Sequence, residues 1–159
     1  KMGIQVNPSF GTEGADGVVI TKNIANEAGL SGKGVYIEVQ RGDLHSVANP
    51  QPGVKPMKVL VLLNAAEPLK VEQYVVHTLQ NSNISDDNET VLPQDNPVPV
   101  MTNEQIKDLA FQVTKAQLHF KPIMGANDDD FALDLEFKVD AQDTGSSQVY
   151  IKQARPYID

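Results

Sequence analysis

The feature that most constrains this chain is a strict two-residue alternation near its carboxyl end. From Leu133 to Val139, apolar Leu133, Leu135, Phe137 and Val139 interleave with Asp134, Glu136 and Lys138. Side chains in a strand point to opposite faces in turn, so this run predicts a strand with one apolar and one charged face. A second run, Gln148-Val-Tyr-Ile-Lys-Gln-Ala-Arg-Pro156, again alternates, with Val149 and Ile151 set against Tyr150 and Lys152. Pro156 cannot donate a ladder hydrogen bond and closes the strand. Asp143-Thr-Gly-Ser-Ser147 between the runs is turn material, so the pair predicts a terminal β-hairpin.

Upstream, the same pattern recurs in shorter pieces. Met2–Val6 reads as extended, with a turn at Asn7-Pro8, and Gly11, Gly14 and Gly17 read as turns. Gly17-Val-Val-Ile-Thr21 and Val35-Tyr-Ile-Glu-Val39 read as two strands of an antiparallel pair. Lys58-Val-Leu-Val-Leu-Leu63 is a continuous apolar run short enough for a buried strand, and the alternating Glu72–Leu79 is expected to pair with it across 64–70. Residues 81–100 are rich in Asn, Asp and Pro and read as a long surface connection. One helix is expected, over 102–118. Thr102 and Gln105 have capping-box spacing, and Ile106, Leu109, Ala110, Val113 and Ala116 make one apolar stripe. Lys107, Asp108, Gln112 and Lys115 fall outside that stripe.

The whole is expected to be α+β: a mainly antiparallel sheet with one principal helix. Its 159 residues suit a single domain. The formal net charge of −8 argues against nucleic acid or an anionic membrane as partner, but leaves room for a local cationic pocket. There is no cysteine, hence no disulfide, thiolate metal site or thiol nucleophile, which fits a reducing compartment. No apolar run reaches the roughly 18 residues of a membrane span. Lys1-Met2 is an unusual natural start, so a missing targeting signal carries no weight.

The tail also resembles a known family. Asp134-Leu-Glu136-Phe137, followed by a turn and a strand ending in Gln153-Ala-Arg-Pro156, is similar to the end of the ATP-grasp nucleotide-binding domain of phosphoenolpyruvate synthase and pyruvate phosphate dikinase. Gly17-Val18, Thr21-Lys22 and Gly42-Asp43 follow one another in the family's order. The resemblance implies the carboxy-terminal lobe of an ATP-grasp domain, a fragment of a larger cytoplasmic phosphotransferase. That enzyme would pass a phosphoryl group from ATP to a histidine on a separate swivelling domain. It implies Mg2+ and ATP as cofactors, and a first ATP-grasp lobe and the phosphohistidine domain as partners. By the same resemblance Glu136 and Gln153 are metal ligands, Asp134 is a supporting ligand, and Arg155 is the catalytic phosphate contact. Asp43, one methylene shorter than the family's glutamate, would face the phosphates.

The residues suit this chemistry. Magnesium prefers oxygen ligands and keeps waters and phosphates in its shell, so one carboxylate and one amide carbonyl suffice from the protein. A guanidinium fork matches phosphate oxygens, and phosphoryl transfer needs charge neutralisation more than covalent chemistry. His45, His77 and His119 stand in no phosphoacceptor context. Asp128-Asp-Asp130 lacks EF-hand spacing, Arg41-Gly-Asp43 is a tripeptide common by chance, and the early glycines form no phosphate-cradling loop. A second class stays open on the residues alone: a non-catalytic acidic module that binds calcium, sugar or a protein partner.

Overall fold

The computed structural model describes residues 13–25, 30, 32–41, 47, 53–80, 82–84, 91–93, 97, 99–124, 131–140 and 148–158. They form an α+β fold in two layers, a six-stranded antiparallel sheet with one helix across one face. The strands are β1 (Glu13–Ile20), β2 (Gly34–Arg41), β3 (Met57–Leu63), β4 (Val71–Thr78), β7 (Leu133–Asp140) and β8 (Gln148–Pro156), in the spatial order β4-β3-β2-β1-β7-β8. Strands β1 to β4 thus make a meander of neighbours in sequence. The terminal hairpin β7–β8 docks on the free edge of β1. The helix α1 (Asn103–Ile123) connects the two parts.

Alternation decides which face is dry. Ala15 and Val19 of β1, Val35, Ile37 and Val39 of β2, Met57, Val59 and Val61 of β3, and Leu135, Phe137 and Val139 of β7 all turn to the helix side and are buried. They meet Ile106, Leu109, Ala110 and Val113, the stripe expected from helical spacing. Strand β3 is buried on both faces at its centre, since Leu60 is as buried as Val59 and Val61, while Lys58 and Leu62 beside Leu60 are half-buried. That is what a continuous apolar run produces. Pairing of β3 with β4 across 64–70 is as expected. The turn is held by Asn64, whose Oδ1 accepts from the Ala66 and Glu67 amides at 2.9 Å each.

Three expectations need correction. Gly14 and Gly17 are not turns but lie inside β1, which begins four residues earlier than the β-branched run suggests. Gly17 is small for a reason of packing. A Cβ there would stand 2.5 Å from both the Glu38 carbonyl oxygen and Cζ of Phe137, so the missing side chain is the space the Phe137 ring fills. The helix runs past Leu118 to Ile123 and carries Pro122 inside its last turn. Its final turns leave Leu118, Phe120 and Ile123 exposed, so no apolar stripe announces them. Finally, the 81–100 connection contains a small antiparallel ladder between β5 (Ser82–Ile84) and β6 (Val91–Pro93). The readings of Met2–Val6, Asn7-Pro8, Gly11, Gly42-Asp43, His45, Asp128–Asp130 and Asp143–Ser147 lie outside the described residues. Among the described residues no helix is long and apolar enough to cross a membrane.

Two local ties fix where the hairpin docks. The Thr21 amide donates to the Leu133 carbonyl at 2.9 Å, and the Leu133 amide donates back to the Thr21 hydroxyl at 2.8 Å. The Thr21 hydroxyl is buried in doing so. At the other side of β7 the Tyr157 amide donates to the Ala132 carbonyl.

Candidate functional site

The sheet face away from the helix carries the residues singled out in the sequence. Registered partners on neighbouring strands share a face, so the ladders define rows that cross the sheet. One row runs Leu60, Tyr36, Ile20, Asp134, Arg155 from β3 to β8. The next runs Lys58, Glu38, Val18, Glu136, Gln153. The acid, the amide, the second acid and the guanidinium therefore occupy two adjacent rungs of β7–β8. A bulge between Glu136 and Phe137 sets this register, because Phe137 pairs with Ile151 and Glu136 with Gln153, leaving Lys152 as the extra residue.

Asp134 and Arg155 are joined. Nε and Nη2 of Arg155 both reach Oδ2 of Asp134, at 2.8 and 2.7 Å. This bond, then the charges of Asp134 and Glu136, raise the Arg155 pKa above its ordinary value, so the guanidinium is a fixed cation. Both bonds use one edge of the group, which leaves donors on the other edge. Asp134 is thus the partner that orients the arginine.

Glu136 and Gln153 are different. They face each other across the ladder, Glu136 exposed and Gln153 half-buried, and neither side chain makes a hydrogen bond or ion pair among the described residues. Among the described residues no three His, Cys, Asp or Glu converge as a metal cluster. A magnesium ion bound with substrate phosphates does not need three, because one or two protein ligands complete such a shell. The donor set present, one carboxylate and one neutral amide oxygen, is hard and fits that ion. Asp43 lies outside the described residues, so its relation to this face is not part of the geometry. His77 of β4 and His119 of α1 stand away from the two rungs.

One group on this face is not evident in the sequence. Glu38 Oε1 accepts from the Tyr36 hydroxyl at 2.8 Å and pairs with Lys58 Nζ at 2.9 Å. Burial first, then the bond to Glu38, raises the Tyr36 pKa, and the same glutamate raises that of Lys58. Glu38 is therefore committed on its own rung, and Val18 separates it from Glu136. The alternation of Tyr36 and Glu38 with Val35, Ile37 and Val39 hints at this cluster, but only the β2–β3 register brings Lys58 in.

No protein-family model, curated protein or solved structure matches the chain. The class defined by fold and site is accordingly an α+β domain with an acid–amide pair and an oriented guanidinium on its open sheet face.

Proposed function

We propose that this domain is an ATP-grasp-like carboxy-terminal lobe that holds Mg-ATP in a phosphoenolpyruvate-synthase-like or dikinase-like phosphotransferase. The observation that carries the reading is the uncommitted pair Glu136 and Gln153, opposed on one rung with Arg155 on the next. The Asp-x-Glu and Gln-Ala-Arg-Pro resemblance supports it, since those are the residues that pair. Glu136 and Gln153 would hold the metal, and Arg155, oriented by Asp134, would meet a phosphate with its remaining donors. Bound magnesium would neutralise phosphate charge as the phosphoryl group leaves. A first lobe, and a second domain bearing the acceptor histidine, complete this reading as partners. The lobe alone binds nucleotide weakly in this view, so the test must detect weak binding.

Mn2+ takes the same hard oxygen ligands as Mg2+ and broadens nearby amide resonances. Titrating Mn2+–ATP into the isotope-labelled full chain should broaden Asp134–Phe137 and Gln153–Arg155 beyond the effect of Mn2+ alone. Glu136→Gln should abolish that excess. Broadening spread evenly over the acidic surface, or unchanged by Glu136→Gln, would overturn the assignment.

A further inference from the structure

Among the described residues the sheet has two outer strands, β4 on one side and β8 on the other. An outer strand turns half of its amides and carbonyls away from its neighbour, and such an edge is a template for one more strand. The two edges differ. Just past β8 the Tyr157 amide bonds inward to the Ala132 carbonyl, so by alternation Arg155 also turns inward and Pro156 outward. Proline has no amide hydrogen to offer there, and Lys152 and Arg155 add charge to that strand.

Strand β4 lacks both devices over most of its length. The Leu63 amide donates to the Lys33 carbonyl on the β2 side, and the next amide, that of Asn64, donates to the Lys70 carbonyl on the β4 side. Alternation along β3 therefore turns Leu62 and Leu60 toward β4, where they meet Gln73 and Val75. Tyr74 and Val76 are left with amide and carbonyl directed out of the sheet, and among the described residues neither has another partner there. From Gln73 to Thr78 the strand has no acid, lysine or arginine. Val76 is 37% exposed, and Tyr74 and Val75 are half-buried.

We propose that this edge pairs with the same edge of a second copy, antiparallel about a twofold axis at Val75, to give one continuous sheet. An antiparallel edge is complementary to itself, and the side chains suit that symmetry. In this register Tyr74 of each copy faces Val76 of the other on the helix side, an aromatic ring against a β-branched side chain. Val75 faces its counterpart on the open face, next to Leu60. Sliding one step either way sets Tyr74 or Val76 against itself and loses both Tyr–Val pairs. Charge points the same way. Each copy carries −8, so two copies repel except where they meet over an uncharged span, and this register opposes no like charges. Bulges bound Gln73–Val76 at both ends and keep the new ladder short, so the association is weak and concentration-dependent. The β4 edge lies across the sheet from Glu136 and Gln153 and does not depend on the nucleotide reading. The Mn2+–ATP titration reports on β7–β8 and the following experiment on β4.

The full chain has no cysteine, so one introduced thiol reports on geometry. Opposed residues that do not bond each other across an antiparallel ladder have Cα atoms about 4.5 Å apart, within disulfide reach. With oxidised glutathione, Val75→Cys should give a disulfide-linked dimer several-fold faster than Lys115→Cys. Lys115 is exposed on α1 and Val75 is half-buried, so chance collision would give the reverse order. Adding Val76→Pro removes one outward amide and leaves the inward bonds of Gln73 and Val75 in place. Cross-linking should then be no faster than in Lys115→Cys. In the cysteine-free chain the sedimentation coefficient should rise with protein concentration. Val75→Lys, which opposes two ammonium groups across the axis without touching the backbone, should hold it at the monomer value. A parent chain that stays monomeric at every concentration, a Val75→Cys rate no greater than that of Lys115→Cys, or association that survives Val76→Pro or Val75→Lys would overturn the proposal.

Discussion

Gly17 shows how much one missing methyl group can organise. It pairs with Phe137 across the seam between β1 and β7, and the aromatic ring lies where a side chain would stand. Gly17→Ala would press on a backbone carbonyl as well as the ring, and a carbonyl inside a ladder cannot step aside. The expected cost is about 2 kcal/mol, within the range for overpacking. It should appear as a lower urea midpoint with an unchanged slope. An unaltered midpoint would mean that the strands part more easily than this packing implies. The sequence around Gly17 suggests a turn, because composition counts a glycine as a breaker and cannot know that a phenylalanine 120 positions away needs the room. Glu136 and Gln153 divide on this point. The facing of Glu136 is legible from alternation, but that of Gln153 is not: strict alternation would put it with Val149 and Ile151 on the apolar face, and only a one-residue bulge that no local pattern encodes turns it toward Glu136.

Among the elements, the helix start was the most legible and its end the least. Thr102 Oγ1 accepts from the Gln105 amide at 3.2 Å, and Gln105 Oε1 accepts from the Thr102 amide at 2.7 Å. Both bonds follow from the Thr-x-x-Gln spacing. Thr102→Ala should cost about 1 kcal/mol, read by thermal or urea unfolding. Combined with Gln105→Ala, the loss should fall short of the sum of the two single losses, because each change removes one bond directly and, by letting the first turn fray, weakens the other, whose donor is a backbone amide left in place. Full additivity would show that the two bonds act independently. The far end of α1 has no comparable signal. Met124 closes it by donating its amide to the Phe120 carbonyl at 2.9 Å, a backbone event that leaves no mark on composition. Strands β2, β3, β7 and β8 were legible because each has a buried face or a buried run. The β5–β6 ladder was not, since three-residue strands are too short for periodicity to register.

At the level of the whole molecule, charge sets the response to pH. The acidic excess grows further once tyrosines and lysines lose their protons. Tyr36 and Lys58 both have folded-state pKa values raised above the ordinary ones, Tyr36 chiefly by burial and Lys58 chiefly by its bond to Glu38. A group that holds its proton more tightly in the fold stabilises the fold fully below its unfolded pKa, about 10 for both types. That contribution is lost as pH rises through the higher folded value. Stability should therefore fall above about pH 10 more steeply in the parent chain than in Glu38→Gln, where part of both shifts is removed. Urea midpoints taken at about pH 8 and about pH 11 for the two proteins give the comparison. Equal slopes would show that the Tyr36–Glu38–Lys58 cluster does not link protonation to folding.

The docking of β7–β8 on β1 has a further consequence for how such a chain comes into being. During synthesis the meander emerges first, with Val18–Ile20 on a bare rim open to any stray strand until the last ribbon arrives to cover it. The Thr21–Leu133 clasp, spanning 112 positions, is the point where that late closure becomes definite. The ribbon that guards the nascent sheet is also the one that bears Glu136, Gln153 and Arg155. Heredity cannot tinker freely with the one task while leaving the other alone.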